Sequence, residues 1–495
     1  MASIPKLDTE RLRLDHFYIG GEWVVPTSTA TTSLVSPNTE QVFAVVASAG
    51  EADVSRAVAA ARNAFDTGPW PRLSSHERAA WLRRLAEALA AWVDVAALAW
   101  TEQMGAPYSL AKGAAPFFIK TLDPYIMLAD SFAFVQEKPV APGAGILVYA
   151  PVGVVAAIAP WNVPLSIMLN KIGPALLAGC TAIMKPAPET PIEAFILAHC
   201  AEAIGLPAGV FNVIAAEREA SALLAAHKDV DKVSFTGSAA AGRSIAATCA
   251  DRIARVSLEL GGKSAAIILD DYDVDQAAKS LVDSLCMLAG QNCAALTRII
   301  VSRERHDALA AALKAQCESI KIGNAYDPAT QMGSLAMERG RDQVEKFIAT
   351  GIAEGATLLT GGNRPPNMGP GYFIEPTVFI NVENSMTIAQ EEIFGPVLCL
   401  IIADDVDQAI RIANDSRYGL AGAIYTYDVD KAYVVARQLR SGTISQNAGR
   451  ADFSIGFGGF KQSGLGREGG LQGLMAYLEP QTILLDSMPS DPEAR

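Results

Sequence analysis

From residue 146 to residue 260, short apolar stretches alternate with longer stretches whose apolar residues recur at helical spacing. Residues 146–158 read as extended, 165–178 as a helix, 181–184 as a strand, 192–203 as a helix and 211–214 as a strand. The series continues with a helix at 221–226, a strand at 232–235, a helix at 240–250 and a strand at 255–260. Strands joined through helices at this spacing imply βαβ units and a parallel sheet, hence the α/β class. In such sheets a bound cofactor lies at the carboxyl ends of the strands.

A second α/β region opens at Ser264. There, residues 265–269 form an expected strand running into Asp273-Val274-Asp275-Gln276-Ala277, and 398–402 another running into Asp405-Val406-Asp407-Gln408-Ala409. No longer self-similarity accompanies this echo, so it is read as two acidic helix caps after strands. Toward the N-terminus, residues 17–25 read as a strand pair around Gly20-Gly21, and 51–65 and 75–100 as largely helical. Residues 131–149 read as a β-hairpin around Pro-Gly-Ala-Gly at 142–145, with an exposed edge that could pair with another chain or fold back on its own domain.

A chain of 495 residues suggests about three domains at ~150 residues each. The net charge of −13 argues against nucleic acid or an anionic membrane as partner. Seven widely spaced cysteines form no Cys-x-x-Cys pair, and the five histidines fall in no ligand spacing. That pattern predicts a reducing, cytoplasmic setting and no metal site. The longest apolar run, 146–161, is broken by Pro151, Gly153 and Pro160 and is too short to span a bilayer. Residues 1–16 are rich in charge and lack the apolar core of a signal peptide.

One thiol stands apart. Cys293 lies in Ala-Gly-Gln-Asn-Cys-Ala-Ala-Leu-Thr-Arg, 289–298, directly after an apolar helical segment at 277–288. A structural cysteine ordinarily sits inside an apolar run as a small inert hydrophobe. Here Gly290 frees the backbone, and Gln291 and Asn292 make the approach polar. A buried packing thiol and a nucleophile both fit this stretch taken alone. Elsewhere, Phe235-Thr236-Gly237-Ser238-Ala239-Ala240-Ala241-Gly242 is a strand–turn–helix passage whose free N–H groups suit a pyrophosphate. The formal G-x-G-x-x-G pattern occurs at Gly464-Leu465-Gly466-Arg467-Glu468-Gly469, but it follows a Lys-Gln-Ser loop rather than a strand, so it reads as a decoy.

Four stretches in order, Pro160-Trp161-Asn162-Val163-Pro164, Glu259-Leu260-Gly261-Gly262-Lys263, the Cys293 segment and Glu391-Glu392-Ile393-Phe394-Gly395-Pro396, resemble the aldehyde dehydrogenase superfamily. The resemblance extends from Phe17-Tyr18-Ile19-Gly20-Gly21-Glu22-Trp23 to Tyr477-Leu478-Glu479. It implies a Rossmann-like cofactor domain at 1–128 and 149–260, a catalytic domain at 261–476, and a small β oligomerisation hairpin and tail at 129–148 and 477–495. The tail strand at 478–485 should join the hairpin, giving a homodimer or homotetramer.

The resemblance also assigns roles. Cys293 would add to the aldehyde carbon, because hydride can leave only from a tetrahedral, electron-rich carbon. The Asn162 side chain and the Cys293 N–H would hold the oxyanion, although an Asn beside Val163-Pro164 also suits a turn. Glu259 would activate water to hydrolyse the thioester, its presence favouring water over coenzyme A as acyl acceptor; a strand-end Glu paired with a surface Lys is the plainer alternative. Lys171 and Glu468 match a proton route in the family, and a helix-surface Lys with a loop Glu is the plainer reading.

For the cofactor, the resemblance places Lys185 on the adenosine ribose and Glu392 on the nicotinamide ribose, with Phe394 near the ring. Ile158, Pro160, Trp161, Phe235, Gly237, Ser238, Gly242 and Leu260 complete the cleft. Many NAD-preferring relatives carry an acid three residues after that Lys; here Pro188 stands there, with Glu189 one place later. Arg218, in Ala215-Ala216-Glu217-Arg218-Glu219, could meet a 2′-phosphate, so NAD is expected with NADP possible. Val163, Ile167, Asn170, Asn292, Ala451, Phe453 and Phe457 would line a roomy apolar tunnel for medium or bulky aldehydes. The alternatives are a semialdehyde dehydrogenase, although no Arg pair for a second carboxylate is evident, and a silent structural member, which would be expected to lose the Cys or the Glu.

Overall fold

The computed structural model describes residues 7–492; residues 1–6 and 493–495 of the expected terminal segments lie outside the described residues. The N-terminal part holds β1 (Phe17–Ile19), β2 (Glu22–Val24), β3 (Thr31–Val35) and β4 (Val42–Ala47), followed by helices such as Glu51–Asp66, Ser75–Ala90 and Val93–Met104. The stretch 75–100, read as one helical region, breaks at Ala91–Trp92 into two helices. Then come β5 (Val135–Lys138), β6 (Ala144–Pro151), β7 (Val154–Ile158), β8 (Thr181–Lys185), β9 (Phe211–Val213), β10 (Lys232–Thr236) and β11 (Arg255–Glu259). The second half supplies β12 (Ser264–Ile268), β13 (Leu296–Ser302), β14 (Thr357–Thr360), β15 (Thr377–Ile380), β16 (Val397–Ala403), β17 (Ala421–Tyr425) and β18 (Thr443–Gln446). The chain closes with β19 (Gly464–Leu465) and β20 (Leu478–Leu485).

The first sheet has the order β19-β11-β10-β7-β8-β9-β1-β2. Its five central strands are parallel, with antiparallel pairs at both edges. Every residue of β7 and β8 is buried, as expected for strands covered by helices on both faces. The expected extended run 146–158 is two strands in two different sheets. Gly153, at φ 128°, turns the chain between them, and a Cβ there would lie within 2.5 Å of the Asp231 carboxyl carbon. Residues 464–465, expected in the second domain, instead form the edge of the first sheet against Leu258–Glu259. That pairing occupies the edge of β11 that would otherwise be unpaired.

The second sheet runs β14-β15-β16-β13-β12-β17-β18 and is parallel except for β14. Asp273 and Asp405 cap the helices that follow, accepting hydrogen bonds from Gln276 N at 2.9 Å and Gln408 N at 2.6 Å. Strands β5, β6 and β20 form a separate antiparallel sheet in which β20 pairs with β6 over its full length, Leu478↔Pro151 to Leu485↔Ala144. Residues 129–131, expected at the start of the oligomerisation segment, instead end the helix Asp123–Ser131.

Each large sheet has its own apolar core. A third cluster, including Trp100, Met104, Leu288 and Ala336, joins a helix of the first unit to the second unit. Among the described residues no helix is long and apolar enough to cross a membrane.

Candidate active site

Parallel registration places the last residues of neighbouring strands in one row. Thr236 pairs with Glu259, Phe235 with Ile158, and Ile158 with Lys185. Polar side chains thus gather at the carboxyl edge of a sheet whose interior is apolar. The helix Ala239–Asp251 begins beside this row, its cap Ser238 accepting from Ala241 N at 3.3 Å. A cavity of about 520 Å³ lies over the row. Ile158, Pro160, Trp161, Lys185 and Glu189 line one side, and Phe235, Gly237, Ser238 and Leu260 another. From the second unit, Cys293, Glu392 and Phe394 close it, with the Trp161 and Phe394 rings edge to face at 5.3 Å.

A second cavity, of about 360 Å³, opens on the far side of Cys293. Val163, Ile167, Asn292, Ala451, Phe453 and Phe457 line it, the last two rings 4.9 Å apart. Cys293, Asn162, Glu259 and Thr236 line both cavities. The thiol therefore stands where the two meet.

The loop around Cys293 is held by backbone geometry that few side chains allow. Ala289 and Gly290 both have positive φ, 50° and 73°. A Cβ on Gly290 would fall 2.1 Å from Gly395 O, so only glycine admits this approach. Gln291 is buried and locked by Leu288 O and by Ala336 N, at 3.1 and 2.9 Å. Asn292 accepts from Ala294 N at 3.0 Å, a local turn that leaves the Cys293 sulfur facing the cavities. Asn162 is fixed at both ends: Trp100 Nε1 donates to its carbonyl at 2.8 Å, and its Nδ2 donates to Gln291 O at 3.1 Å. One of its two amide hydrogens remains for another acceptor.

Burial dominates the electrostatics. It pushes the Cys293 thiol up, and the nearby Glu259 and Glu392 carboxylates push further, against the amides of Ala294 and Cys293 itself. Glu259 is held well above the carboxylate range, first by burial and then by Glu468, with Lys171 and Arg467 opposing. Neither Glu259 oxygen is paired with another side chain. Lys171 and Glu468 are both buried and 2.6 Å apart, and Lys171 also donates to Thr236 Oγ1 at 2.8 Å.

Glu392 accepts from Gly262 N at 3.2 Å, and burial raises its carboxyl to about 7 against that amide and Lys263. Burial lowers Lys185 to about 8, with Glu189 and Glu217 opposing. A Cβ on Gly261 would lie 1.9 Å from Glu392 Oε2, so the glycine keeps room for that carboxylate. An ammonium, a carboxylate and a helix start with free amides, spaced along one cleft, fit the ribose hydroxyls and pyrophosphate of a dinucleotide.

Three of the residues expected to line the cofactor cleft or the tunnel fall outside the cavities. Asn170 is fully buried and turned into the protein, where Nδ2 donates to Ser166 O at 3.2 Å and Oδ1 accepts from Tyr125 OH at 3.2 Å. It is not a tunnel residue. Arg218 is exposed at the start of helix Arg218–Ala226, because Ala215 and Ala216 take the inward positions of that loop. Gly242 meets Leu260 rather than the cavity; a Cβ there would lie 2.5 Å from the Leu260 side chain. Glu189 is engaged across the cleft by Arg339.

Thr236, Phe118, Met287 and Arg450 line the cavities without having been singled out. Arg450 adjoins Ala451 and was within reach of the same motif matching. Phe118 comes from a helix far earlier in the chain, and no local signal marks it. The pattern at 464–469, set aside as a phosphate motif, serves here to pair with β11 and to deliver Glu468 to Lys171.

A dinucleotide-shaped cleft at strand ends, meeting a thiol between two units, is the architecture of an α/β dehydrogenase. A model described as the aldehyde dehydrogenase family matches residues 23–483. Geranial dehydrogenase of Castellaniella defragrans is 40% identical over 472 residues, 95% of this chain and 98% of that protein. The 3-succinoylsemialdehyde-pyridine dehydrogenase of a Pseudomonas species is 40% identical over 94% of this chain and 98% of its own length. An aldehyde dehydrogenase of Mycobacterium tuberculosis, solved with NAD+, superposes with a TM-score of 0.93 at 43% identity, covering 95% of this chain and 98% of that one. A mutant aldehyde dehydrogenase C of Pseudomonas syringae, solved with NAD+ and octanal, gives a TM-score of 0.93 at 38% identity, covering 98% and 99%. The chain belongs to the aldehyde dehydrogenase family. It is an oxidoreductase acting on aldehydes, in a family that uses NAD(P).

Proposed function

We propose that the protein oxidises medium or bulky hydrophobic aldehydes to their acids, with NAD+ preferred over NADP+. The observation that carries this reading is the position of Cys293, at the meeting point of a dinucleotide-shaped cleft and an apolar tunnel, with Asn162 and Glu259 lining both. The names of two relatives support the substrate class, one a geranial dehydrogenase and one solved with octanal.

In this reading Lys185 and Glu392 hold the two riboses and the amides at the start of helix Ala239–Asp251 hold the pyrophosphate. Bound there, the nicotinamide supplies the acceptor for hydride. The Cys293 thiol gives its proton to solvent. The thiolate then adds to the carbonyl carbon, forming the C–S bond and an oxyanion held by Asn162 Nδ2 and the Cys293 N–H. Loss of hydride leaves a thioester on Cys293. Glu259 removes a proton from water as its oxygen attacks that carbon; the C–S bond breaks, and the acid leaves with the thiolate restored. The raised affinity of Glu259 for protons suits it to this work near neutral pH. Lys171 and Glu468 then carry the proton away from Glu259.

A second reading, a semialdehyde dehydrogenase for an acidic substrate, draws on Arg450, which lines the tunnel and is exposed. A single guanidinium there could meet a distal carboxylate. Self-association would run through the β5–β6–β20 sheet, where Leu484 is exposed on the tail strand, and the mass of the assembly by light scattering checks it.

The test is reduced-cofactor formation with short, long-chain, terpenoid, benzylic and carboxylate-bearing aldehydes, each against NAD+ and NADP+, with Cys293→Ala as control. Higher kcat/KM for the long-chain and terpenoid aldehydes than for acetaldehyde is expected, and loss of turnover in the variant. Preference for acetaldehyde, or turnover surviving in Cys293→Ala, would overturn the reading.

A further inference from the structure

Strand β10 sits in the middle of the first sheet, yet its side chains at 232, 234 and 236 are all polar. Alternate residues of a strand share one face, so Lys232, Ser234 and Thr236 form a polar stripe leading from the active site into the interior. Such a stripe is costly unless every group finds a partner. The partners come from two distant places. Lys171 Nζ reaches Thr236 at 2.8 Å and Ser234 at 3.3 Å. Tyr477 OH donates to the same Ser234 Oγ at 3.1 Å, and the Lys232 ammonium lies over the Tyr477 ring, 4.9 Å from its centroid, while donating to Ser257 at 2.6 Å. Tyr477 is fully buried and stands immediately before β20, at the root of the tail sheet.

We propose that Ser234 and Tyr477 are positioning residues for thioester hydrolysis: Tyr477 fixes the Ser234 hydroxyl, and Ser234 holds Lys171 against Glu468. The proposal rests on the hydrolytic reading and deepens it by tying the tail strand to the proton route. Tyr477 donates into one lone pair of Ser234, which leaves the other for the Lys171 ammonium. Without that anchor Lys171 is held by Thr236 and Glu468 alone, and its position against Glu468 loosens. The charged groups that act on Lys171 are Glu468, Glu259 and Lys232; those that act on Glu259 are Glu468, Lys171, Arg467 and Cys293. Lys171 favours the Glu259 carboxylate, so its displacement raises the pH at which Glu259 ionises. Burial and Glu468 keep the Tyr477 phenol protonated, and hence a donor, throughout that range.

The experiment uses p-nitrophenyl octanoate with the full-length protein, because acylation and deacylation of Cys293 are then followed without cofactor. Release of nitrophenolate in the first turnover reports acylation, and the steady rate reports hydrolysis of the thioester. Tyr477→Phe and Ser234→Ala should leave the first-turnover rate unchanged and slow the steady rate by about five-fold, the effect of one hydrogen bond. The acid limb of the steady rate should move to higher pH, and Ser234→Thr should restore both. An unchanged pH profile and rate in Tyr477→Phe would overturn the proposal, as would equal slowing of both phases at unchanged thermal midpoint. Absence of reduced cofactor with every aldehyde, beside a normal ester burst in the parent, would instead defeat the dehydrogenase reading alone.

Discussion

Lys171 Nζ lies 2.6 Å from Glu468 Oε1, although the two residues are 297 positions apart in the chain. The lysine comes from the helix Pro164–Ala178, and the glutamate from the loop after β19, which pairs with the strand ending in Glu259. Both side chains are buried, so each supplies the counter-charge that makes the other tolerable in the interior.

Removing one partner should therefore be severe. Lys171→Met leaves Glu468 without its cation in a site that also holds Glu259. A loss of about 3–5 kcal/mol is expected for breaking a buried pair from one side, read from chemical denaturation. A Lys171→Met, Glu468→Leu double variant should recover most of it, because no uncompensated charge remains.

Glu259→Gln separates the two halves of the reaction. The amide cannot accept a proton from water, so steady-state turnover should fall on the order of 10²-fold or more. Ester hydrolysis by the same variant should stall after acylation, with the acylated Cys293 observed by intact mass. Steady turnover within two-fold of the parent would remove Glu259 from the role of base.

Glu392 predicts a pH dependence of cofactor binding. Its carboxyl is raised to about 7, so it is ionised above that pH and protonated below it. Only the ionised form accepts from both ribose hydroxyls, so KM for NAD+ should rise roughly five-fold between pH 8 and pH 6. Glu392→Gln should flatten that profile. The same shift bears on stability: the folded form holds this proton more tightly than the unfolded chain. Glu392 therefore contributes a loss of stability as pH rises from the ordinary glutamate range through about 7.

Arg450 discriminates the two substrate readings. Arg450→Glu should leave kcat/KM for octanal within about two-fold, since an exposed group at the tunnel contributes little to apolar burial. With a carboxylate-bearing semialdehyde the same change should cost on the order of ten-fold or more if the guanidinium meets the carboxylate. Equal small effects on both would leave the tunnel apolar in function and exclude the semialdehyde reading.

Local pattern was sufficient for the helices and strands of the first sheet, because βαβ units keep helix and strand periodicities in unbroken succession. It also made Cys293 stand out, since a thiol among Gly, Gln and Asn departs from the apolar setting of a packing cysteine. It misled at residues 146–158, where two extended runs from different sheets are continuous in sequence and only Gly153 marks the bend. It misled again at Asn170 and Arg218: motif matching aligns positions, whereas helix rotation and loop direction decide which side chain faces the cavity.

The chain's own order of residues thus determined the α/β class, the thiol and the strand-end polar groups, because those depend on neighbours a few positions apart. Tertiary structure alone decided which of these groups meet. The Lys171–Glu468 pair, the Tyr477–Ser234 contact, the locking of Asn162 by Trp100 and the placement of Phe118 and Arg450 in the tunnel all join segments far apart in sequence. In a buried, low-dielectric site it is those meetings that set ionisation and hydrogen bonding.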